Sequence, residues 1–512
     1  MRFICGLYRS IKVKESGQTL PLTLAALAIG ALIIAPLLSQ ASTSLIGSRT
    51  YNTVIKETYA ADAGVEHGVW RLVNNGLAAT LPNVGNNTTY SLPNTVNGVT
   101  PSITVTNTQS GTLPIGSITD PVTDTFNFDT TSCYTPHIIN ISGTVYAIVY
   151  RGATDDGTIK TVNISAAGAI SEPAIDTWAF VTTCFEPDIV KVSGNVYAII
   201  YRGASNNGYL ATVTISTAGA ITKTTIGSSN FGSALNEPDI IFLAGTYYAI
   251  VYRDAGGAGY LRTVNIANNG NITSNSVSSW NFISAVYSPH IIKISGTVYG
   301  MVYGNTGTVM TVTISNTGVI TKTAIASWAF DTTGNTPMMM LISGNVYAVI
   351  YCGAGNAGYV KTMTISTAGA ITKTAISTLN FDATGGYEPY LLLATGTVYA
   401  ITYRNSTNLG VVKTYTIATN GTITQTVIDT LQFDTTAGYE PWLINVGTGM
   451  YAVAYRGASN LGYLKTFGIS TTAGSGPAVF SVQSVANGTT ITASVSITSN
   501  VASVKSWLVQ RH

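Results

Sequence analysis

The stretch CFEPDIVKVSGNVYAIIYRG, residues Cys184–Gly203, contains the pattern that decides the fold. Pro187 opens one strand-like segment, Tyr201 closes the next, and a Ser-Gly-Asn turn separates the two segments. The second segment is apolar at successive positions, which is typical of a strand that is buried on both faces. The stretch therefore predicts a β-hairpin packed between other layers of β structure.

The same pattern recurs along the chain in seven units, at steps of 48 to 52 residues. The recurring Pro is found at Pro136, Pro187, Pro238, Pro289, Pro337, Pro389 and Pro441. The recurring Tyr is found at Tyr150, Tyr201, Tyr252, Tyr303, Tyr351, Tyr403 and Tyr455. A regular period of this length is typical of a solenoid or a propeller.

Each unit holds four strand-like segments, which in the second unit read DIVKVS, NVYAIIY, YLATVTIS and AITKTTI. Turns rich in Gly, Asn and Ser separate these segments. Four antiparallel strands in about 50 residues match one propeller blade, whereas a β-solenoid has a shorter coil. We therefore predict a mainly β chain whose repeats form a seven-bladed β-propeller of four-stranded blades.

The two ends of the repeat region predict how the propeller closes. GSITDPVTDTFNFD, from Gly116, matches GAISEPAIDTWAFV, from Gly168, which is a fourth strand with its exit loop. The seventh unit lacks a fourth strand, because TFGISTTAGSGPAVF, from Thr466, departs from the pattern. The N-terminal strand is expected to complete the last blade, like a velcro fastening, and so to leave no free sheet edge. A recurring Phe in the exit loop is expected to pack between blades, at Phe128, Phe180, Phe231, Phe282, Phe330, Phe381 and Phe433.

The N-terminal region predicts a membrane helix. Arg2, Arg9, Lys12 and Lys14 precede an uncharged apolar run from Leu20 to Leu38, which is long enough to span a bilayer. The basic flank is expected to stay in the cytoplasm, so that the bulk of the chain lies outside. Helical spacing continues to an Asn-Asn-Gly stop, which gives a helix over 18–75. A secretory signal peptide is the rival interpretation.

This N-terminal region resembles that of type IV pilin-like proteins. The resemblance rests on the basic leader, on Glu15-Ser16-Gly17-Gln18, on the apolar run, and on YAADAGVEHGVWRL, from Tyr59. The last of these resembles a segment of PilX-type minor pilins. The resemblance implies that a prepilin peptidase removes the leader 1–17 by cutting between Gly17 and Gln18. It also implies that other pilins or pseudopilins are the partners of the helix.

Leu22 occupies the position at which major pilins carry Glu, so the resemblance favours a minor pilin or pseudopilin over a major subunit. A plain signal-anchor remains the alternative. Strand-like segments follow the helix and also end the chain, where VKSWLVQ, from Val504, resembles the last strand of a PilX-type head. The implied domain order is a pilin-like α+β head made of 76–115 and 476–512, with a propeller of 116–475 inserted in it.

Opposite charges flank the two strands of the opening hairpin in several units. Glu precedes the recurring Pro at Glu186, Glu237, Glu388 and Glu440. Arg follows the recurring Tyr at Arg151, Arg202, Arg253, Arg404 and Arg456. Four units carry both residues, and units four and five carry neither, as expected for structural salt bridges because an unpaired, partly buried charge is costly. Arg151 has no Glu partner and is expected either to pair with Asp155 or to contact a ligand.

The residue after the recurring Pro varies and is the better candidate for a binding site. These residues are His137, Asp188, Asp239, His290, Met338, Tyr390 and Trp442. Varied polar and aromatic side chains at the mouth of a central channel suit a small molecule or a glycan, with the rings of Tyr390 and Trp442 stacking on sugar faces. The alternative is that these side chains only close the top of the channel.

Other chemistry has weaker support. Asp188 and Asp239 form a carboxylate pair of the kind that glycosidases use, but no nucleophile motif accompanies them, so we predict no catalysis. The four cysteines show no zinc spacing, and no metal or cofactor is expected. Cys133 and Cys184 occupy equivalent positions in neighbouring units, which leaves a disulfide between them open. Cys352 stands where other units have Arg and is expected to be a buried free thiol.

Composition narrows the function classes. Charged residues make up 9% of the chain and the net charge is +2, which does not favour a nucleic-acid partner. The first hypothesis is a minor pilin or pseudopilin at the cell surface or in a pilus, displaying a propeller for ligand binding or adhesion. The second is a structural subunit of a filament tip or envelope whose propeller contacts only proteins. A surface glycoside hydrolase is a remote third.

Overall fold

The computed structural model describes residues 19–81, 84–109, 112–475, 478–498 and 501–511. The predicted leader, the cleavage position between Gly17 and Gln18, and Cys5 lie outside these residues. The chain divides into two compact units. One unit is Met1–Leu113 together with Ser475–His512, and the other is Pro114–Gly474. The chain is mainly β and has one long apolar helix near its N-terminus, as the sequence predicts.

The long helix of the first unit, Thr19–Asn74, has two different halves. Its N-terminal half exposes apolar side chains such as Leu27 and Leu32, which are about three-quarters accessible. This half is apolar enough to cross a membrane, and helices of this kind serve as membrane anchors or as signal sequences. The C-terminal half instead buries Ala61 and Val65 completely against a sheet.

The sheet of the first unit has five antiparallel strands. In spatial order they are Asn87–Ser91, Ser102–Gln109, Ala478–Ala486, Thr489–Thr498 and Val501–Arg511. Gly64 allows the helix to approach this sheet closely, because a Cβ at that position would lie 2.1 Å from the Ser484 hydroxyl oxygen. A short helix, Leu77–Thr80, follows the long one.

The second unit contains seven four-stranded antiparallel sheets, which we number 1 to 7 in chain order. The first strands are Tyr134–Ser142, Phe185–Ser193, Asn236–Ala244, Tyr287–Ser295, Asn335–Ser343, Tyr387–Thr395 and Tyr439–Gly447. The second strands are Val145–Arg151, Val196–Arg202, Tyr247–Arg253, Val298–Gly304, Val346–Cys352, Val398–Arg404 and Met450–Arg456. The second strands bury most of their residues on both faces, because each sheet lies between two others.

The outer strands complete the sheets. The third strands are Gly157–Ile164, Asn207–Thr214, Gly259–Ile266, Thr308–Ile314, Gly358–Thr364, Gly410–Thr416 and Gly462–Gly468. The fourth strands of sheets 1 to 6 are Ile170–Val181, Gly227–Ala234, Ile272–Ile283, Ile320–Ala329, Ser377–Asp382 and Asp429–Asp434. Short 3-10 turns occur at Ala204–Asn206, Ala354–Asn356 and Ala458–Asn460, and two-residue strands at Thr112–Leu113 and Gly474–Ser475.

Sheet 7 takes its fourth strand from the beginning of the repeat region. Asp124–Asp129 pairs antiparallel with Gly462–Gly468, which is the pairing expected from the sequence. First strands contact each other from one sheet to the next, and the first strand of sheet 7 contacts that of sheet 1. The sheets therefore follow one another in a closed ring, which is the arrangement of a β-propeller.

A hydrogen bond that recurs seven times joins neighbouring sheets. A fully buried Thr on each third strand donates its hydroxyl to the carbonyl of a turn Gly associated with the next sheet, at 2.5–2.7 Å. The last of these bonds runs from Thr466 to Gly168 and links sheet 7 to sheet 1. Gly168 has φ +89°, a left-handed conformation that Gly adopts without strain.

Candidate functional site

The recurring Pro follows a bulge in each first strand. The residue before it has a φ between 42° and 52° in all seven sheets, although none of these residues is Gly. Strand pairing shifts register at this point, as between Tyr134 and His137 in sheet 1. Such backbone strain persists only where surrounding contacts hold it in place. The bulge directs two side chains per sheet, one before and one after the Pro, toward one end of the ring.

These side chains surround a cavity of about 400 Å³. Its wall includes the residue after the Pro from every sheet: His137, Asp188, Asp239, His290, Met338, Tyr390 and Trp442. The structure thus brings six of the seven candidate ligand-binding residues, together with Met338, into one site. The remaining candidate, Arg151, does not line the cavity. The volume lies in the range of small-molecule pockets, which is roughly 300–1,000 Å³.

One side of the cavity is aromatic. The ring centroids of Tyr390 and Trp442 lie 4.8 Å apart, and those of Trp442 and His137 lie 3.7 Å apart. These three residues come from sheets 6, 7 and 1, so the aromatic side exists only because the ring is closed. Contacts between the rings restrict their motion, which lowers the entropy cost of stacking a ligand against them.

The other side of the cavity is acidic. Asp188 accepts backbone hydrogen bonds from Ile189 at 2.7 Å and from Ile240 of the next sheet at 3.0 Å. It also contacts Nδ1 of His137. Asp239 accepts the N–H of Ile291, again in the next sheet, at 2.7 Å. The acids therefore both face the cavity and hold adjacent sheets together.

The surroundings of Asp239 and His290 change how readily they ionise. Burial, reinforced by the negative charge of Asp188, raises the pKa of the Asp239 carboxyl well above its usual value. Burial lowers the pKa of His290 to about 4, so that its ring is neutral at pH 7. The His290 ring lies 3.9 Å from an Asp239 oxygen, and its Nδ1 accepts the N–H of Met339 at 3.4 Å. Burial therefore disfavours the charged form of both Asp239 and His290.

The four Glu–Arg pairs form ion pairs within their sheets, with N···O distances of 3.1–3.3 Å. The sequence did not reveal a second role for the acids. In each case Oε2 of the Glu accepts the N–H of the bulge residue in the next sheet, at 2.8 Å. One carboxylate thus joins the Arg of its own sheet to the backbone of its neighbour.

Arg151, which lacks a Glu, is held in another way. Its guanidinium lies 3.4 Å from the Asp155 carboxylate and 3.9 Å from the centre of the Tyr134 ring. A second ring, that of Phe185 in sheet 2, lies 4.9 Å from it. These contacts are structural, and they place Arg151 in the joint between sheets 1 and 2.

The disulfide that the sequence left open does not form in the structure. Cys133 and Cys184 are free and fully buried. Cys133 lies against Gly462 of sheet 7, whereas Cys184 lies against Gly157 of sheet 1, so each packs into a different joint of the ring. Cys352 is also buried and free, and burial raises its pKa to about 11.

We expect these three thiols to resist labelling in the folded protein, because burial favours the unreactive protonated form. The measurement is mass spectrometry after treatment with a maleimide at pH 8, in a Cys5→Ser background. No addition is expected under native conditions and three additions are expected in urea without reductant. Only one addition in urea would show that Cys133 and Cys184 are bonded.

Within the part of the chain that the structure describes, no group of three or more His, Cys, Asp or Glu side chains is arranged to hold a metal ion. The rings and carboxylates that line the cavity are groups that can bind a ligand. The expectations of no catalysis and no cofactor stay predictions.

The comparisons with known proteins identify no family. No family model matches the chain, and no curated protein matches it. Among solved structures, a Lactobacillus plantarum protein is similar at 12% identity and TM-score 0.41, covering 56% of this chain and 84% of its own. A Bacteroides fragilis protein, provisionally named a 6-phosphogluconolactonase, is similar at 15% identity and TM-score 0.43, covering 57% and 85%. BBS1N, solved in complex with ARL6DN, is similar at 11% identity and TM-score 0.41, covering 71% and 100%. No statement about activity follows from likeness at this level.

Proposed function

We propose that this chain is a membrane-anchored minor pilin or pseudopilin-like protein that displays a seven-bladed propeller outside the cell to bind a surface ligand, of which a glycan is the leading class. The observation that carries the binding role is the convergence of six varied candidate side chains on one cavity. The resemblance of the N-terminal sequence to type IV pilin-like proteins supports the pilin role. The apolar helix Thr19–Asn74 supports the anchor.

The division of the cavity into an aromatic and an acidic side supports a glycan in particular. Sugars present apolar ring faces and hydroxyl edges, and protein sites bind them with aromatic rings and hydrogen-bond acceptors respectively. Tyr390 and Trp442 supply the rings, and Asp188 and Asp239 supply the acceptors. The same two carboxylates are the equipment of a glycosidase, so the binding test includes an assay for hydrolysed sugar.

The structural alternative rests on a different observation. Asp188 and Asp239 each accept a hydrogen bond from a backbone N–H of the next sheet. Residues that only close the end of the channel would do the same. In that case the propeller is a filament-tip or envelope subunit that contacts other proteins alone.

A glycan array probed with the full chain in detergent separates these functions. We expect binding to a restricted set of sugars. In Trp442→Ala and in Tyr390→Ala we expect affinity to fall by about 5- to 150-fold, since removing one stacked ring costs about 1–3 kcal/mol by analogy with other stacking platforms. Phe242→Ala is the matched control, because Phe242 is 48% exposed and lies outside the cavity. Equal binding by all variants would contradict the assignment of the site. If the full chain bound no sugar on any array and co-purified with other pilins, the structural alternative would be favoured.

A further inference from the structure

The side chains that line the cavity in the described part of the chain include many carboxylates and neither Lys nor Arg. The lining described by the structure includes six carboxylates, from Asp188, Asp239 and four Glu residues, and it includes neither Lys nor Arg. Each of the Glu residues is ion-paired with an Arg of its own sheet. Asp188 contacts the ring of His137, and Asp239 lies near the ring of His290. Neither acid forms an ion pair with a Lys or Arg of the described residues. Within the lining that the structure describes, no Lys or Arg therefore accompanies these two acids.

Negative charge in a concave, partly desolvated site attracts cations, because the surrounding protein screens it less than water does. Each carboxylate also raises the cost of ionising the other, which is why the charge of Asp188 raises the pKa of Asp239. A cation between the two acids would remove that repulsion. The site is thus better matched to a positively charged ligand than to a neutral one.

The aromatic side of the cavity indicates what kind of cation fits. Trp442 and Tyr390 present rings to the same space, and the faces of such rings attract organic ammonium groups. Tyr390 lies close enough to both acids for their charges, added to burial, to raise the pKa of its hydroxyl. Aromatic rings together with carboxylates suit a ligand in which an ammonium group is attached to a carbon skeleton.

We infer that the ligand of this cavity carries an ammonium group, which Asp188 and Asp239 bind while Trp442 and Tyr390 pack against the carbon body attached to it. Two sources share this chemistry, an amino sugar with a free amine and a quaternary ammonium compound. The inference rests on the proposed binding function and specifies the ligand class. A bare metal ion fits the described residues less well, because no three or more of their His, Cys, Asp and Glu side chains are arranged to hold one.

Two pairs of probes that match in shape and differ in charge test this inference. Choline is compared with 3,3-dimethylbutan-1-ol, and glucosamine oligomers are compared with their N-acetylated forms. Calorimetry on the full chain in detergent at pH 8 measures the choline pair, and the array measures the sugars. We expect a charged member to bind at least about tenfold more tightly than its neutral partner, as for other charge-assisted contacts. Which pair responds identifies the source of the ammonium.

Asp239→Asn is the informative variant. Its side-chain oxygen can still accept the N–H of Ile291, and the substitution removes a carboxylate whose raised pKa makes its ionisation unfavourable in the folded state. A raised pKa means that the folded state loses stability as the pH rises through it, so the variant is expected to melt at the same or a higher temperature at pH 8. The affinity for the charged probe is expected to fall at least about tenfold. Asp155→Asn, which removes a 56% exposed carboxylate outside the cavity, is the control with unchanged affinity.

The pH dependence follows from the same group. Choline keeps its charge at every pH, so a change in its affinity reports on the protein. Because the pKa of Asp239 is raised, lowering the pH favours its neutral form, and binding measured from pH 8 down to pH 5 is expected to weaken in that direction. The other titratable groups that line the cavity are Asp188, His137, His290, Tyr390 and the four Glu residues of the ion pairs. His290, with a pKa of about 4, stays neutral across this window, and Asp239→Asn is expected to flatten the response.

Three results are distinguishable. Preference for the charged probes that Asp239→Asn abolishes supports the inference. Equal binding of charged and neutral sugars, lost in Trp442→Ala and retained in Asp239→Asn, overturns the inference and leaves the proposed function standing. If neither pair of probes bound and no other sugar on the array bound, the inference and the proposed binding function would both be overturned.

Discussion

Replacing Phe128 by Ala is expected to lower the free energy of unfolding of the propeller unit by about 3–5 kcal/mol, the usual cost of deleting a buried Phe side chain. Phe128 lies on the strand that closes the ring and is 3% exposed. Its ring centroid lies 5.4 Å from that of Tyr150 in sheet 1, and its other side faces Gly462 of sheet 7. The substitution therefore opens a void where the ends of the repeat region meet.

Urea unfolding followed by circular dichroism measures this loss. Phe180→Ala is the matched control, because Phe180 occupies the equivalent place between sheets 1 and 2 but is only partly buried. The control is expected to lose less stability, since less apolar surface returns to water. If both variants lost the same free energy, the closing joint would be no more dependent on its Phe than the other joints are.

Removing Glu388 alone is expected to lower the free energy of unfolding, because Arg404 then lacks its carboxylate partner. Both its oxygens lie 3.2 Å from Arg404 nitrogens, in a two-pronged pair, and Oε2 also accepts the N–H of Glu440 at 2.8 Å. Glu388→Ser leaves a guanidinium that is 15% exposed without its carboxylate. We expect a loss of about 2–4 kcal/mol, below the 3–5 kcal/mol of fully buried pairs because the Glu is 28% exposed.

The double variant Glu388→Ser, Arg404→Gly copies sheet 4, which has Ser288 and Gly304 at these positions. We expect its loss to be smaller than the sum of the two single losses by about 1–2 kcal/mol, since no charge is left without a partner. Asp155→Ala is the control, because its pair with Arg151 is more exposed and is expected to contribute less than about 1 kcal/mol. Strictly additive losses in the double variant would contradict a structural salt bridge.

Sequence patterns were sufficient for the features that depend on short stretches of chain. The run from Leu20 to Leu38 predicted the apolar helix because length and hydrophobicity are local properties. The recurring Pro and Tyr predicted the hairpins, since strand pairing follows from alternation and turn residues. The match between the stretches at Gly116 and Gly168 predicted the strand exchange that completes sheet 7. The disulfide that was left open did not form, because equivalent positions in a ring lie one sheet apart.

Contacts between sheets needed the tertiary structure. Nothing in the sequence around Glu186 indicates that its φ is +50° or that its second oxygen accepts a hydrogen bond from Glu237. The Thr–Gly hydrogen bonds join residues more than fifty positions apart in the chain, so no local pattern indicates them.

By itself, then, the sequence determined which segments are strands, which segment is an apolar helix, and which side chains approach the mouth of the channel. Only the tertiary structure decided that Trp442 lies against His137, that His137 contacts Asp188, and that the acids share a cavity with the rings. The physical reason is that a strand's own residues set its pairing and its inward face. The rotation from one sheet to the next, together with the closure of the ring, sets which inward side chains meet.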